Sequence, residues 1–167
     1  MRLDKCTIKL QEAVVAAQDC AQKHNNQNIE PQHMLLALVE QPEGVVRPIL
    51  QKFGVNPEII QGRLSEDIEK IPKVYGGATG QIYLSQKTAG LFQKAEKEAE
   101  KMKDEYISGE HVLLAFTEIE ANPATDLLKS FGITRDALYK ALQEIRGSQR
   151  VTDQNPEDKY QALAKFS

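Results

Sequence analysis

ISGEHVLLAF, at 107–116, repeats a phrase already spelled at 29–38, IEPQHMLLAL. His33 and His111 mark the same place in the two copies, 78 residues apart. Sliding the chain by that offset keeps it in register in both directions, without a gap. Leu35, Leu36 and Ala37 fall on Leu113, Leu114 and Ala115, and Glu40 falls on Glu118. Downstream, Leu50, Phe53 and Gly54 fall on Leu128, Phe131 and Gly132. Upstream, Ala17, Ala21 and Lys23 fall on Ala95, Ala99 and Lys101. Self-similarity at one fixed offset marks a duplicated structural unit.

Each copy reads as helices. Leu10, Val14, Ala17 and Ala21 recur at helical spacing, and Thr88, Phe92, Ala95 and Ala99 repeat the stripe with one polar exception. Helix signals cover about 7–24, 31–41, 45–53 and 57–70, then 85–105, 109–119, 124–130 and 135–146. Pro31 suits a first helical position, where a missing N–H costs nothing, and Ser108, aligned with Glu30, is a natural N-cap. FGVNPE at 53–58 and FGITRD at 131–136 read as matching helix–helix corners, each with a left-handed Gly and then an Asn or Thr cap. KAEKEAEKMKDE at 94–105 reads as a solvated helix face, with Glu98–Lys101 and Glu100–Lys103 in pairing range. No stretch alternates as a strand does. The expectation is an all-α fold: a pseudo-twofold duplication of a four-helix repeat, about eight helices, no sheet. Residues 1–147 form the domain, with repeats at about 6–70 and 84–147, and 148–167 a linker. The joining segment IPKVYGGATGQIYL at 71–84 carries a GGATG, but no GK[ST] follows and no strand precedes it, so it reads as a connector.

Composition excludes several functions. The 167 residues are 41% hydrophobic and 27% charged, the balance of a soluble globule. No apolar run approaches the ~20 residues that span a bilayer, and MRLDKCTIKL is too polar for a signal peptide, so the expectation is a cytoplasmic protein without a membrane partner. A net charge of −3 with no basic block argues against nucleic acid. Cys6 and Cys20, on one helix, would lie about 21 Å apart along its axis, too far for a disulfide. There is no P-loop, H-E-x-x-H, Cys-x-x-Cys or nucleophile elbow. The chain is therefore not expected to be an enzyme, to bind a metal or to hold a cofactor. His33 and His111 sit in the first turns of equivalent helices. There each ring is expected to serve a local backbone group.

The duplicated unit with EPQHMLLAL and SGEHVLLAF resembles the Clp N-terminal repeat domain, the module that precedes the AAA+ rings of Clp unfoldases. MRLDKCT, KDEYISGEHVLLA and VTDQNPEDKYQALAKF at 151–166 are similar, in order and spacing, to the ClpB-type disaggregases within that family. The resemblance implies a stress chaperone domain that engages unfolded or aggregated polypeptide. It would pass clients to an ATP-driven homohexamer cooperating with a DnaK-type system, with ATP held by ring modules and not by this chain. The tail then reads as a linker toward an AAA+ module, and the isolated domain as a monomer. Client engagement is expected in a shallow apolar groove between the repeats. The resemblance places Thr7, Asp104 and Glu110 on that face. Leu91, which replaces Ala13, and His111 are added as positions where this chain departs from its own first copy or from the family pattern. Each also has a structural reading: Thr7 as an N-cap like Ser85, Leu91 as core, Asp104 as a solvated helix end, Glu110 as favouring a helix dipole. The alternatives are an adaptor-docking domain of a ClpA- or ClpC-type protease unfoldase, and a free-standing helical scaffold whose mark would be a docked helix at 157–166.

Overall fold

A computed structural model describes residues 3–75, 82–147, Thr152 and Gln154. GGATG and 157–166 lie outside the described residues. Eight α-helices follow a 3-10 turn at Leu3–Lys5: α1 (Ile8–Lys23), α2 (Pro31–Glu40), α3 (Val46–Lys52), α4 (Pro57–Glu69), α5 (Gln86–Lys101), α6 (Gly109–Phe116), α7 (Pro123–Ser130) and α8 (Arg135–Arg146). This is the expected duplicated all-α architecture.

The repeated phrase forms the two central helices. Nine of the ten α2 residues and all eight of α6 are buried. A helix buried on every side must be surrounded, and the helices of one repeat do not surround it alone. The repeats therefore exchange elements. The third helix of each packs on the second and fourth helices of the other, α7 against α2 and α4, and α3 against α6 and α8.

The exchange extends to the backbone before the central helices. Asn28–Ile29 (β1) pairs in parallel with Tyr83–Leu84 (β2), a two-residue ladder added to the helical fold. The equivalent pairing is a bridge between Cys6 and Ile107. Thus the isoleucine opening each copy of the phrase is tied to the residue two places before the other repeat's long helix.

The caps follow the expected chemistry. Thr7 and Ser85 hydroxyls each accept a backbone N–H three residues on, at 3.2 Å. Gly54 and Gly132 take the left-handed conformation at φ 73° and 79°. Asn56 and Thr134 then accept first-turn N–H groups of α4 and α8. Helix α5 ends at Lys101, short of 105, because Lys103 turns left-handed at φ 59°, as Asn25 does at φ 57° in the first repeat. The charged stretch is not wholly a solvated face. Glu98 is buried and takes both 3.0 Å hydrogen bonds from Arg135 Nη2. Cys6 and Cys20 are both free. Burial, with Asp4 adding to it, pushes the Cys6 thiol up to about 11, so it behaves as a small core residue.

Both histidines serve local backbone as expected. His33 Nδ1 accepts the Glu30 N–H at 2.8 Å, and Nε2 donates to Asn26 Oδ1 at 2.8 Å. A protonated Nδ1 would lose its backbone donor and carry a buried charge. Burial, with the His24 charge behind it, lowers the His33 pKa from 6.5 to about 4. The unfolded chain therefore binds the proton first. Stability from this site is complete above about pH 6.5 and falls as the pH drops toward 4, by about 3 kcal/mol in all. Urea unfolding between pH 7 and 4.5 should show that slope, and His33→Gln should flatten it.

Candidate functional site

The five sequence-selected residues are all internal. Thr7, Leu91, Glu110 and His111 are 0% exposed and Asp104 is 9% exposed. The expectation that these five engage client thus meets side chains that lie beneath the surface in this conformation. Thr7 is held as the α1 cap, its own N–H on the Ile107 carbonyl at 2.9 Å. Leu91 fills the core.

Asp104, Glu110 and His111 converge on a residue that sequence reading missed, Arg146. Its guanidinium donates to Asp104 at 3.0 and 2.6 Å, and Nη1 lies 3.5 Å from Glu110 Oε2. His111 Nε2 donates to Asp104 Oδ2 at 2.6 Å, while Nδ1 accepts the Ser108 N–H at 2.9 Å. The Ser108 hydroxyl donates to Glu110 Oε1. Asp104 is therefore not a solvated helix end. The left-handed turn at Lys103 brings its carboxylate inward, onto the last turn of α8.

The duplication shows how this cluster arose. At the equivalent positions of the first repeat stand Asn26, Gln32 and Ile68, all uncharged. Three neutral residues are matched by Asp104, Glu110 and Arg146, a set in which each charge needs another. That correlated exchange was legible in the sequence, since Arg146 interrupts an apolar stripe position. Removing one member strands the rest, which costs about 3–5 kcal/mol for a buried ion pair. Arg146→Met should destabilise the chain by that amount in urea titrations. The triple variant Asp104→Asn, Glu110→Gln, Arg146→Ile, restoring the first repeat's set, should unfold within about 1 kcal/mol of the parent. Equal losses in both would refute charge compensation.

Clefts open on the surface formed by the described residues. A shallow groove of about 430 Å³ runs along the outer face of α1, lined by Ile8, Gln11, Glu12, Val15, Ala16 and Asp19. Ile8 is 46% exposed and Val15 55%, one above the other at helical spacing. Two smaller clefts lie where the repeats meet. One, of about 190 Å³, is formed by Lys52 and Phe53 against α8. The other, of about 280 Å³, lies between Glu30–Gln32, Ser85–Lys87 and Asn122–Pro123. Both are smaller than the groove on α1, and charged or amide side chains (Lys52, Lys140 and Glu144 in one, Glu30, Gln32, Gln86 and Lys87 in the other) lie around them. The residues of the α1 groove were missed because sequence reading sought the groove at the join.

Cys20, His24 and Glu69 form a row that superficially suggests a nucleophile and base. The His24 Nδ1 that faces the Cys20 Sγ at 3.8 Å is already 2.8 Å from the Cys20 carbonyl, to which it donates. Burial, with Glu40 adding to it, raises the Cys20 thiol, which disfavours its thiolate form. Among the described residues no three His, Cys, Asp or Glu side chains come together to hold a metal ion. No described helix is long and apolar enough to cross a membrane.

Comparison with known proteins agrees with this architecture. The chaperone protein ClpB of Bacillus anthracis is 42% identical over 99% of the chain, and that of Vibrio cholerae 40% identical over all of it. The chain spans 19% of the length of each. The N-terminal domain of Hsp104 from Candida albicans superposes with a TM-score of 0.78 at 23% identity, covering 92% of this chain and 99% of that one. A ClpV N-domain in complex with a VipB peptide superposes at 0.70 and 17% identity, covering 90% and 92%. The Clp repeat (R) N-terminal domain matches residues 5–131, and the chain belongs to that family.

Proposed function

We propose that the chain is the client-engaging domain of an ATP-driven disaggregase, and that it holds unfolded polypeptide along the outer face of α1. The observation that carries this reading is the exposed apolar row of Ile8, Val15 and Ala16 on a helix whose opposite face is core. A receptor for many unfolded chains must read exposed hydrophobicity and not sequence, and a shallow apolar strip with charge at its rim, here Glu12 and Asp19, suits that task. The strip is particular to the first repeat. At the matching places on α5 stand Gln86, Gln93 and Lys94, all exposed and polar. A ClpV N-domain of the same fold is seen with a peptide bound, which is consistent with peptide capture by this fold.

In this reading Thr7, Leu91, Asp104, Glu110 and His111 act beneath the surface. Thr7 and the Cys6–Ile107 bridge fix the start of α1, and the Arg146 cluster fixes the turn that carries Ile107. Affinity per domain is low because the groove is shallow, and six copies above a hexameric ring would compensate through effective concentration. ATP, the hexamer and the DnaK-type partner belong to the rest of such a protein, which would work in the cytoplasm.

An NMR titration of the 167-residue chain with reduced, carboxymethylated α-lactalbumin, which is permanently unfolded, tests the capture surface. Shifts should map to Ile8, Gln11, Glu12, Val15 and Ala16 and be absent with native α-lactalbumin. Val15→Asp should weaken binding about tenfold or more. Shifts with neither ligand would favour adaptor docking instead.

A further inference from the structure

The contact between each third helix and the other repeat's fourth helix occurs twice, and its two copies are filled differently. Phe53 ends α3 and faces α8, and its counterpart Phe131 ends α7 and faces α4. Both rings are half-buried against the core. Over Phe131 lies the guanidinium of Arg63, its central carbon 5.8 Å from the ring centroid and within cation–π range. Ile59 stands one turn earlier on α4. The matching positions on α8 are Ala141 and Ala137. A methyl group does not reach across the ring, and the place is a cleft of about 190 Å³ with Phe53, Ala137 and Ala141 among its walls. The fold thus keeps the aromatic floor in both contacts and the plug in one.

The rim of the open cleft differs as well. Lys52, Lys140 and Glu144 line it, where the other contact has Ser130, Gly62 and Glu66. Two lysines therefore accompany the loss of the plug, while the glutamate is common to both. Glu144 is already taken, its carboxylate 3.0 Å from Lys52 Nζ in a pair that bridges α8 to α3. Lys140 is exposed, and among the described residues no carboxylate is paired with it. We propose that this cleft is a docking pocket for a partner polypeptide that offers an aromatic side chain flanked by aspartate or glutamate. The aromatic ring packs on Phe53, offset-stacked or edge to face, in the space that Arg63 and Ile59 fill in the other contact. The flanking carboxylates face Lys140 and Lys52. An arginine, the chemistry of the internal plug, is disfavoured as occupant by the same two lysines. Exposed charge pairs contribute little each, so the lysines select the partner and the apolar floor holds it. The pocket is formed by α3 and α8, and the proposal does not rest on the reading of α1 as the capture face.

The test is an NMR titration of the 167-residue chain with two peptides blocked at both ends, Asp-Glu-Phe-Glu-Asp and Lys-Lys-Phe-Lys-Lys. The acidic peptide should shift the amides of Phe53, Ala137 and Ala141. At low ionic strength it should bind about five- to tenfold more tightly than the basic one, a preference that shrinks as salt is added. Lys140→Glu, at an exposed position, should reverse the order of the two peptides. Ala141→Arg, which installs the plug of the other contact, should abolish the shifts. Circular dichroism checks that this variant is folded, and where it is not, Lys140→Glu decides. Equal affinity for the two peptides, or tighter binding of the basic one, overturns the acidic partner. Shifts confined to other surfaces, or none, overturn the pocket itself. A dimer in sedimentation equilibrium that Ala141→Arg dissolves would assign the cleft to a second copy of the chain and overturn the proposal too.

Discussion

The structure depends on one constraint: two short helices, α2 and α6, that are buried on all sides and are not covered by their own repeats alone. The chain meets it by exchange, each repeat lending its third helix to the other's second and fourth. The same reciprocity places Ile29 against the start of the second repeat and Ile107 against the start of the first. Neither half can be expected to stand alone, since part of the cover of each central helix comes from the other. The repeated phrase is architecture first, and its duplication is what makes a single cooperative unit of the two copies.

Most of that was legible. The 78-residue offset, the caps at Thr7, Ser85, Asn56 and Thr134, and the left-handed Gly54 and Gly132 all follow from local rules in which a side chain answers a nearby backbone group. The exchange of third helices was not legible, because helical periodicity says that a face is buried and not which helix buries it. The short parallel pairing escaped for a related reason. Two residues are too few to show alternation, and their partners lie 55 positions away along the chain.

The setting of Asp104 and Glu110 was less legible. Asp104 and Glu110 looked like surface charges because a charged residue near a helix end is usually solvated. Here each charge is matched inside the fold, and the guanidinium that matches them comes from α8. Periodicity could not reveal this, but the comparison of the copies could. Asn26 beside His33 and Asp104 beside His111 do the same geometric task, holding the ring that caps the central helix. The second repeat does it with ions, and in doing so ties the helix from which the chain departs to the turn preceding α6. A buried ion pair is weak evidence of added stability but a strong constraint on arrangement, because any displacement leaves a charge unsatisfied.

The divergence of the copies also bears on how many ligands the domain can hold. A duplicated unit begins with two equivalent outer faces, one on α1 and one on α5. The core faces of both helices were kept, as Leu10, Ala13, Ala17 and Ala21 and their counterparts Thr88, Leu91, Ala95 and Ala99 are all buried. The outer faces parted. Where α1 shows Ile8, Val15 and Ala16, α5 shows Gln86, Gln93 and Lys94. An apolar strip on both helices would place sticky surface on two sides of a small domain and invite self-association. Polar residues on α5 remove that hazard there and leave the strip on α1, the helix whose first N–H is also taken by Gln154. The pseudo-twofold of the backbone is therefore broken on the surface, where α1 presents an apolar strip and α5 a polar face.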